Sequence, residues 1–329
     1  MSEENLINRL FEKGLIRKKQ NVATQLTGGV SCQILLIDDG ENRFVVKRAL
    51  EKLKVKDNWY ADTGRNKTEQ AYLSYVGEFL PGAVPKVIYS DDTLNFFCME
   101  MLENGLSNWK DLLMTGQCDQ RYAEKTGALL GEIHAHSAGD TKAKALFDTS
   151  ANFHQLRIEP YLLKTGERNP QLQDIFRKEA ERIANTSTCL VHGDFSPKNI
   201  MVRQDRIVVL DCEVAWYGDP VFDIAFLLNH FMLKALYLPK HTETLLNMAA
   251  SVWDNYRHKA QKILDVQFEK RMTHLLLLLM LARVDGKSPV EYLNDKQQNQ
   301  VKDFVCGMFP QSFGSFRGLQ DQWLENLKQ

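Results

Sequence analysis

Apolar residues are concentrated in three short stretches near the start of the chain, as is typical of β-strands, and in the third the strand period of two places Val45, Lys47 and Ala49 on one face. The stretches are residues 22–26, 32–38 and 43–49, and the glycine-containing turn at residues 39–42 joins the last two. Before them, the apolar residues of Glu3–Glu12 fall at helical spacing, and a glycine follows that suits a helix C-cap. The pattern therefore predicts a short helix followed by an antiparallel sheet.

One further helix and two further strands are predicted before the pattern changes. Residues 63–80 have helical periodicity that places Glu69 on the apolar side of the helix. Residues 86–90 and 94–101 have the pattern of strands. From Leu106 onward the periodicity is mostly helical, so we predict an α+β chain with a sheet-rich first part to about Leu102 and a helical second part.

The second part of the chain is dominated by helical periodicity. The longest predicted helices cover residues 122–136, 151–184 with a break near 166–170, 221–238, 243–264 and 268–284. The run Leu275–Leu279 is apolar on all sides, so its helix is predicted to be buried. Ser288, Pro289 and Glu291 fit a capping box with proline in the first turn, which predicts a new helix that begins at Ser288. The tail from Pro310 is predicted to form a loop and a short helix.

A polar loop between short apolar runs carries the candidate chemistry. Strands are predicted at residues 189–191, 200–202 and 207–210, and the residues around them include His192, Asp194, Asn199 and, after the last strand, Asp211. Phosphoryl transfer needs a carboxylate that accepts the proton of the acceptor hydroxyl. It also needs hard oxygen ligands that hold Mg²⁺ against a triphosphate. The loop offers both, although a short H-G-D sequence also occurs by chance in polar turns.

The stretch resembles the motif of the aminoglycoside phosphotransferase and choline kinase-like superfamily, written H-G-D-x-x-x-x-N followed by I-D-x-E/D. Methylthioribose kinase and homoserine kinase are among the members of this superfamily of small-molecule kinases. The segment Trp216-Tyr-Gly-Asp-Pro-Val-Phe-Asp-Ile-Ala225 resembles a second superfamily motif, G-D-P-x-x-D-[LI]-A. Because Asp211-Cys212-Glu213 is D-x-E rather than D-F-G, the protein kinases are a poorer match.

The resemblance implies a two-lobed protein-kinase-like fold and an ATP- and Mg²⁺-dependent reaction on a hydroxyl of a small-molecule acceptor. The N-lobe, residues 1–102, would bind the nucleotide phosphates, and the C-lobe, residues 103–329, would hold the catalytic loop, the metal and the acceptor. Asp194 would be the base. Asn199 and Asp211 would bind the metal, and Glu213 would contact a second metal or the nucleotide site. Asp223 would brace the catalytic loop by accepting backbone N–H bonds.

The nucleotide-binding residues of the N-lobe come partly from the pattern and partly from the resemblance. Lys47 lies inside an apolar strand, where a cation needs an anionic partner, and Glu69 on the apolar face of the next helix is the predicted partner. Gly28-Gly29 could lay backbone N–H groups over phosphates, although many hairpins contain this pair as a plain turn. By resemblance, backbone groups near Glu100 and Leu102 would contact the adenine.

Composition narrows the class of protein further. The chain has 329 residues, 41 basic and 42 acidic side chains and a net charge of −1, so no basic excess points to nucleic acid. The acidic start lacks the pattern of a signal peptide, and the longest apolar run is far too short to span a membrane. The six cysteines lack metal-site spacing, which favours reduced thiols in a cytoplasmic protein. The oligomeric state cannot be read from the sequence.

The motifs leave the acceptor and two alternative functions open. We expect an acceptor that is not an aminoglycoside, because no acidic cluster is available for a polycation. Arg283 and Lys287 suit a carboxylate or a neutral polyol, unless they only complement a helix C-terminus. A nucleotide-binding pseudokinase that acts as a scaffold is one alternative, although every expected catalytic residue is present. A protein kinase is the other, although no A-P-E segment follows Asp211.

Overall fold

The computed structural model describes residues 3–26, 32–49, 64–309 and 314–328. The chain divides into two compact units, Met1–Leu106 and Ser107–Gln329, and each is described by itself below.

The first unit is a five-stranded antiparallel sheet with two helices. Its elements are α1 (Glu3–Glu12), β1 (Ala23–Gln25), β2 (Cys32–Asp38), β3 (Arg43–Ala49), α2 (Arg65–Phe79), β4 (Val87–Asp91) and β5 (Phe96–Glu100). The strand order is β1-β2-β3-β5-β4. The order follows the predicted elements closely, and the prediction of an α+β fold with an antiparallel sheet is confirmed.

The two helices of the first unit lie on opposite faces of the sheet. Leu6 and Leu10 of α1 belong to a buried apolar cluster that includes Phe44 and Val46 of β3. Because neighbouring strand residues point to opposite faces, Lys47 faces away from this cluster and reaches α2 instead. The alternation predicted from the sequence for this strand is therefore what places a lysine toward α2.

The second unit is mostly helical. Its helices are α3 (Trp109–Met114), α4 (Gln120–Ser137), α5 (Thr141–Leu146), α6 (Ser150–Phe153), a π-helix (His154–Leu163), α7 (Lys164–Arg168), α8 (Gln173–Ala184), α9 (Val221–Tyr237), α10 (Thr242–Lys259), α11 (Phe268–Asp285), α12 (Asp295–Met308) and α13 (Phe316–Leu327). Its strands are β6 (Ser107–Asn108), β7 (Cys189–Val191), β8 (Ile200–Arg203), β9 (Arg206–Val209) and β10 (Trp216–Gly218). They form two small sheets, β10-β7 and β6-β8-β9.

The core of the second unit is formed by helices that are buried on nearly all sides. Every leucine of the run Leu275–Leu279 in α11 is at most 2% exposed, as the sequence predicts. Helices α4 and α10 pack closely because α4 has glycine at two contact points. A Cβ on Gly127 would lie 2.2 Å from the carbonyl oxygen of Val252, and one on Gly131 would lie 2.6 Å from that of Tyr256. A larger residue at either position would separate the two helices.

The predicted helix start at Ser288 is wrong. Residues 286–294 are irregular, and the next helix, α12, begins at Asp295. The carbonyl and hydroxyl oxygens of Ser288 instead accept hydrogen bonds from the guanidinium of Arg283. The capping box is formed further along by Asn294 and Gln297, whose side chains each accept the other's backbone N–H. The oxygens of Ser288 therefore bind Arg283, five residues earlier, and do not cap a helix.

Two further properties of the chain bear on its class. All six cysteines are free thiols. No single helix in the described ranges is long and apolar enough to cross a membrane, and α9 with the segment Pro239–Lys259 meets that test only as a pair bent by 118°.

Candidate active site

The loop after β7 is fixed by a carboxylate from α9. Asp223 accepts the backbone N–H of His192 at 2.7 Å and that of Gly193 at 2.9 Å. Gly193 has a φ of +78°, and a Cβ there would lie 2.7 Å from the carbonyl oxygen of Val214, so only glycine fits. The prediction that Asp223 braces this loop is confirmed. His134 of α4 also contacts Asp223, at 3.2 Å, which gives that histidine a structural partner.

His192 connects the loop to the strand that precedes Asp211. Its Nδ1 accepts the backbone N–H of Asp194 at 3.1 Å, so the ring proton lies on Nε2 and is donated to the carbonyl oxygen of Leu210 at 3.1 Å. Burial lowers the pKa of His192, which keeps the ring neutral and maintains this tautomer. A neutral histidine therefore holds the segments of the two aspartates together.

Asp194 presents two unequal carboxylate oxygens. Its Oδ2 lies 2.9 Å from Nζ of Lys198, 3.0 Å from Nδ2 of Asn199 and 3.3 Å from the guanidinium of Arg157. Its Oδ1 has no hydrogen bond to any residue in the described part of the chain. Burial would raise the pKa of Asp194, but the charges of Lys198 and Arg157 outweigh it and hold the pKa below its ordinary value. The carboxylate is therefore ionised, oriented and open on one side.

The predicted metal ligands Asn199 and Asp211 lie at the same end of the β8–β9 hairpin. The backbone N–H of Leu210 donates to the carbonyl oxygen of Asn199 at 2.9 Å, and Asp211 is the next residue. Because Nδ2 of Asn199 donates to Asp194, the amide oxygen Oδ1 of Asn199 remains as a hydrogen-bond acceptor or metal ligand. Asp211 has a φ of +63°, a left-handed conformation that aspartate tolerates better than most residues and that often marks functional sites.

The donor set at this end of the hairpin suits Mg²⁺. Within the described ranges, no three His, Cys, Asp or Glu side chains cluster in a way that could hold a metal. Mg²⁺ does not require such a cage, since it commonly uses one or two protein carboxylates together with substrate phosphates and water. The amide oxygen of Asn199 and the carboxylate of Asp211 fit that mode. Glu213, whose carbonyl oxygen accepts a bond from Asn152, is half-buried two residues further on.

Two residues of the site were missed by the sequence analysis. Lys198 lies within the catalytic loop, four residues after Asp194, and its proximity gave a signal that was not used. Arg157 comes from the π-helix His154–Leu163 and also donates to the carbonyl oxygen of Gly193. No spacing rule relates Arg157 to the motif, because the packing of the second unit brings the two together.

A cavity of about 120 Å³ opens beside Asp194 in the second unit. The cavity is lined by the loop that carries Asp194, the π-helix, α3, α9, α11 and the irregular segment after α11. The lining side chains include Lys110, Tyr161, Lys198, His230, Lys234, Arg283, Glu291 and Tyr292. Arg283, one of the two cations singled out for the acceptor, lines the cavity. Lys287, the other, forms an ion pair with Glu159 at 3.0 Å and is not part of the lining.

In the first unit, the predicted partner of Lys47 is correct. Nζ of Lys47 lies 2.8 Å from Oε1 and 2.7 Å from Oε2 of Glu69, and the two side chains are 4% and 2% exposed. A buried ion pair of this kind fixes the position of the lysine. Glu100 ends β5, and its backbone N–H donates to the carbonyl oxygen of Lys86. Leu102 follows in irregular structure, and Gly28-Gly29 lies outside the described residues.

Solved structures of known kinases have the same fold. An amicoumacin kinase in complex with AMP-PNP, Ca²⁺ and Ami aligns with a TM-score of 0.62 at 14% identity, over 97% of this chain and 97% of that one. A choline kinase from Cryptosporidium parvum aligns with a TM-score of 0.52 at 11% identity, over 99% and 95% of the two chains. The fold is that of the small-molecule kinases with a protein-kinase-like architecture.

Sequence comparison then identifies the family. A sequence model of the phosphotransferase enzyme family matches residues 22–255, and the chain belongs to this family. The methylthioribose kinase of Bacillus velezensis is 26% identical over 287 residues, which cover 78% of this chain and 72% of that protein. The resemblance stated from the catalytic motif is confirmed, and the protein is an enzyme of the small-molecule kinase class.

Proposed function

We propose that this enzyme transfers the γ-phosphoryl group of ATP to a hydroxyl of a small-molecule acceptor. The observation that carries the proposal is the asymmetric carboxylate of Asp194. Its Oδ2 is held by three donors, and its Oδ1 has no partner among the described residues although Asp194 lines a cavity. An acceptor hydroxyl in the cavity can donate its hydrogen bond to Oδ1, and Asp194 then takes the proton as the new O–P bond forms.

Asn199 and Asp211 would hold Mg²⁺ on the other side of the loop. Mg²⁺, when bound, would neutralise the triphosphate and orient the γ-phosphoryl group. The chain's own contribution is to keep Asn199 and Asp194 in a fixed relation through the Nδ2 bond, and to keep Asp211 in place through the His192–Leu210 link. Glu213 is the next candidate for a metal contact.

The first unit would contribute the nucleotide contacts. The pair of Lys47 and Glu69 supports a lysine that steadies the α- and β-phosphates, since Glu69 holds the ammonium at a defined point. The backbone near Glu100 and Leu102 would contact the adenine, and Gly28-Gly29 would cover the phosphates. The amicoumacin kinase structure, solved with AMP-PNP and Ca²⁺, supports an adenine nucleotide and a divalent cation as ligands of this family.

The acceptor is proposed to be small and not an aminoglycoside. The cavity of about 120 Å³ is below the roughly 300–1,000 Å³ of pockets for drug-sized ligands. Four of its lining side chains are lysine or arginine, and these oppose a polycation. The similarity to methylthioribose kinases supports a compact hydroxylated acceptor of the size of a small sugar.

The test is ADP release by the purified chain with ATP and Mg²⁺ across amino alcohols, sugars, hydroxy acids and aminoglycosides. We expect Mg²⁺-dependent release with a small hydroxylated acceptor and formation of the corresponding phosphate ester. If the folded protein binds ATP but releases no ADP with any acceptor or by hydrolysis, the result would instead support a pseudokinase. Phosphorylation of bulk protein substrates would support a protein kinase.

A further inference from the structure

Lys234 is a buried cation that has no hydrogen-bond or ion-pair partner in the described part of the chain. It lies on α9, its side chain is 1% exposed, and its ammonium has neither a hydrogen bond nor an ion pair with any described residue. Its Nζ lies over the face of the Tyr292 ring, 5.2 Å from the ring centroid. Burying an ammonium without an anionic partner costs free energy. A bound anion would offset that cost.

Arg283 is a second cation of the same cavity, and it has no acidic partner among the residues that the structure describes. Its guanidinium donates to the carbonyl oxygen of Ser288, to Oγ of Ser288 at 3.2 Å and to the hydroxyl of Tyr161 at 3.3 Å, all of which are neutral groups. Its Nε is buried and unpaired. The side chain is therefore fixed by neutral acceptors while its charge remains available to the cavity.

The remaining side chains of the cavity do not balance this charge. Glu291 is paired with Lys110 at 3.9 Å, and its side chain is 83% exposed, so it is mostly solvated. His230 is kept neutral because burial lowers its pKa well below the ordinary value, and its Nε2 is buried without a partner. Asp194, which also lines the cavity, is already paired with Lys198 and Arg157. The wall formed by Lys234 and Arg283 thus has an unmatched positive charge.

We propose that the acceptor carries a carboxylate that binds Lys234 and Arg283 while its hydroxyl reaches Oδ1 of Asp194. This inference rests on the proposed kinase function and specifies its substrate class as a small hydroxy acid. The two cations line the same small cavity as the catalytic aspartate, so one compact molecule can contact all three. Nε2 of His230 offers a further hydrogen bond to the bound acceptor.

A carboxylate is smaller than a phosphate and suits a cavity of about 120 Å³ better. Burial, reinforced by the charges of Lys110 and Arg283, lowers the pKa of Lys234 to about 7, so the ammonium is only partly charged at neutral pH. A bound anion would favour the charged form of the lysine, so Lys234 and Arg283 can both pair with it. Arginine also presents a fork that matches the two oxygens of a carboxylate.

The experiment compares hydroxy acids with matched neutral alcohols. ADP release is measured for glycerate against glycerol, ribonate against ribose and gluconate against glucose, with methylthioribose as a further neutral acceptor and glycerol 3-phosphate as the phosphate-bearing one. We expect turnover in the acid of a pair and little or none in its neutral partner. We also expect the same acid, but not the neutral alcohol, to raise the melting temperature, which reports binding without requiring turnover.

Two variants locate the effect. Lys234→Met should raise the KM for the acid by about ten- to a hundredfold, with little change in kcat or in the KM for ATP, because the lost contact is present throughout the reaction. Lys240→Met is the matched control, since Lys240 is exposed just beyond the end of α9 and is not part of the cavity lining. It should leave every constant unchanged.

The outcomes separate this inference from the proposed function. Equal turnover of neutral and acidic acceptors, efficient turnover of methylthioribose unaffected by Lys234→Met, or a requirement for the phosphate-bearing acceptor would overturn the carboxylate assignment and leave the kinase activity intact. Stabilisation by an acid without any ADP release, even to water, would retain the anion site and overturn the proposed kinase activity.

Discussion

Lys198 and Asp194 form an ion pair of 2.9 Å within one loop, and this pair uses the same carboxylate oxygen that Asn199 and Arg157 contact. Three donors on one oxygen fix the orientation of the carboxylate and leave the other oxygen for the acceptor. The two cations also keep Asp194 ionised despite its burial. The proposed base is thus ionised and oriented before the acceptor binds.

Asp194→Asn should lower kcat by about 10²–10⁴-fold, since the amide keeps the shape of the side chain but cannot accept the proton. The dissociation constant for ATP should change little, because this side chain acts on the acceptor. Steady-state kinetics and nucleotide titration check the two parts separately. A variant with near-normal kcat at saturating acceptor would remove Asp194 from the proposed mechanism.

Asp211→Asn should raise the Mg²⁺ concentration needed for half-maximal rate and lower the rate itself. The change removes an anionic metal ligand. Asparagine is the suitable replacement because Asp211 has a φ of +63°, and asparagine tolerates this left-handed conformation nearly as well as aspartate does. The measurement is the rate as a function of Mg²⁺ at fixed ATP. An unchanged Mg²⁺ dependence would move the role to Glu213.

Asp223→Ala should destabilise the protein by roughly 2–5 kcal/mol, because two buried backbone N–H groups and His134 lose their acceptor. Asp174→Ala is the matched control. Its carboxylate is 81% exposed and contacts only Arg177, at 3.4 Å, so the change should be within about 0.5 kcal/mol. Urea unfolding of the three proteins gives the comparison. Equal stabilities would mean that water replaces the carboxylate in this loop.

The sequence predicted those parts of the site that local chain geometry determines. The strand–loop–hairpin of residues 189–210 has its own period and turns, and Lys47 and Glu69 each have an inward-facing charge that requires a partner. Arg157 and Lys234 could not be assigned from spacing, because each reaches the site through helix packing across the second unit. The capping motif at Ser288 failed for a local reason, since Arg283, five residues earlier, donates hydrogen bonds to the carbonyl and hydroxyl oxygens of Ser288.

Lys234 should also make the stability of the free enzyme depend on pH. Burial and the charges of Lys110 and Arg283 lower the pKa of Lys234 to about 7 in the folded protein, whereas an unperturbed lysine has a pKa of about 10.4. Between these values the unfolded chain binds a proton here that the folded chain does not. The free energy of unfolding therefore rises as the pH increases from about 7 to about 10. Below about pH 7, Lys234 is charged in both states and destabilises the fold by its full amount.

Lys234→Met should consequently stabilise the acceptor-free protein at pH 7 by roughly 1–4 kcal/mol, as when an apolar residue replaces a buried charge. The difference from wild type should shrink as the pH approaches 10, where the folded lysine is neutral and the unfolded one is losing its proton. Burial lowers the pKa of His230 well below its ordinary value and raises that of Tyr292, so neither of these neighbours titrates between pH 7 and 10 in the folded protein. Subtraction of the two proteins removes the contribution of the groups that they share. Lys240→Met, exposed beyond α9, should show no such difference at any pH. Urea unfolding at pH 7, 8, 9 and 10 measures it. If Lys234→Met were less stable than wild type at pH 7, the buried ammonium would have a favourable partner in the folded state, and the positive wall would not need an anionic acceptor.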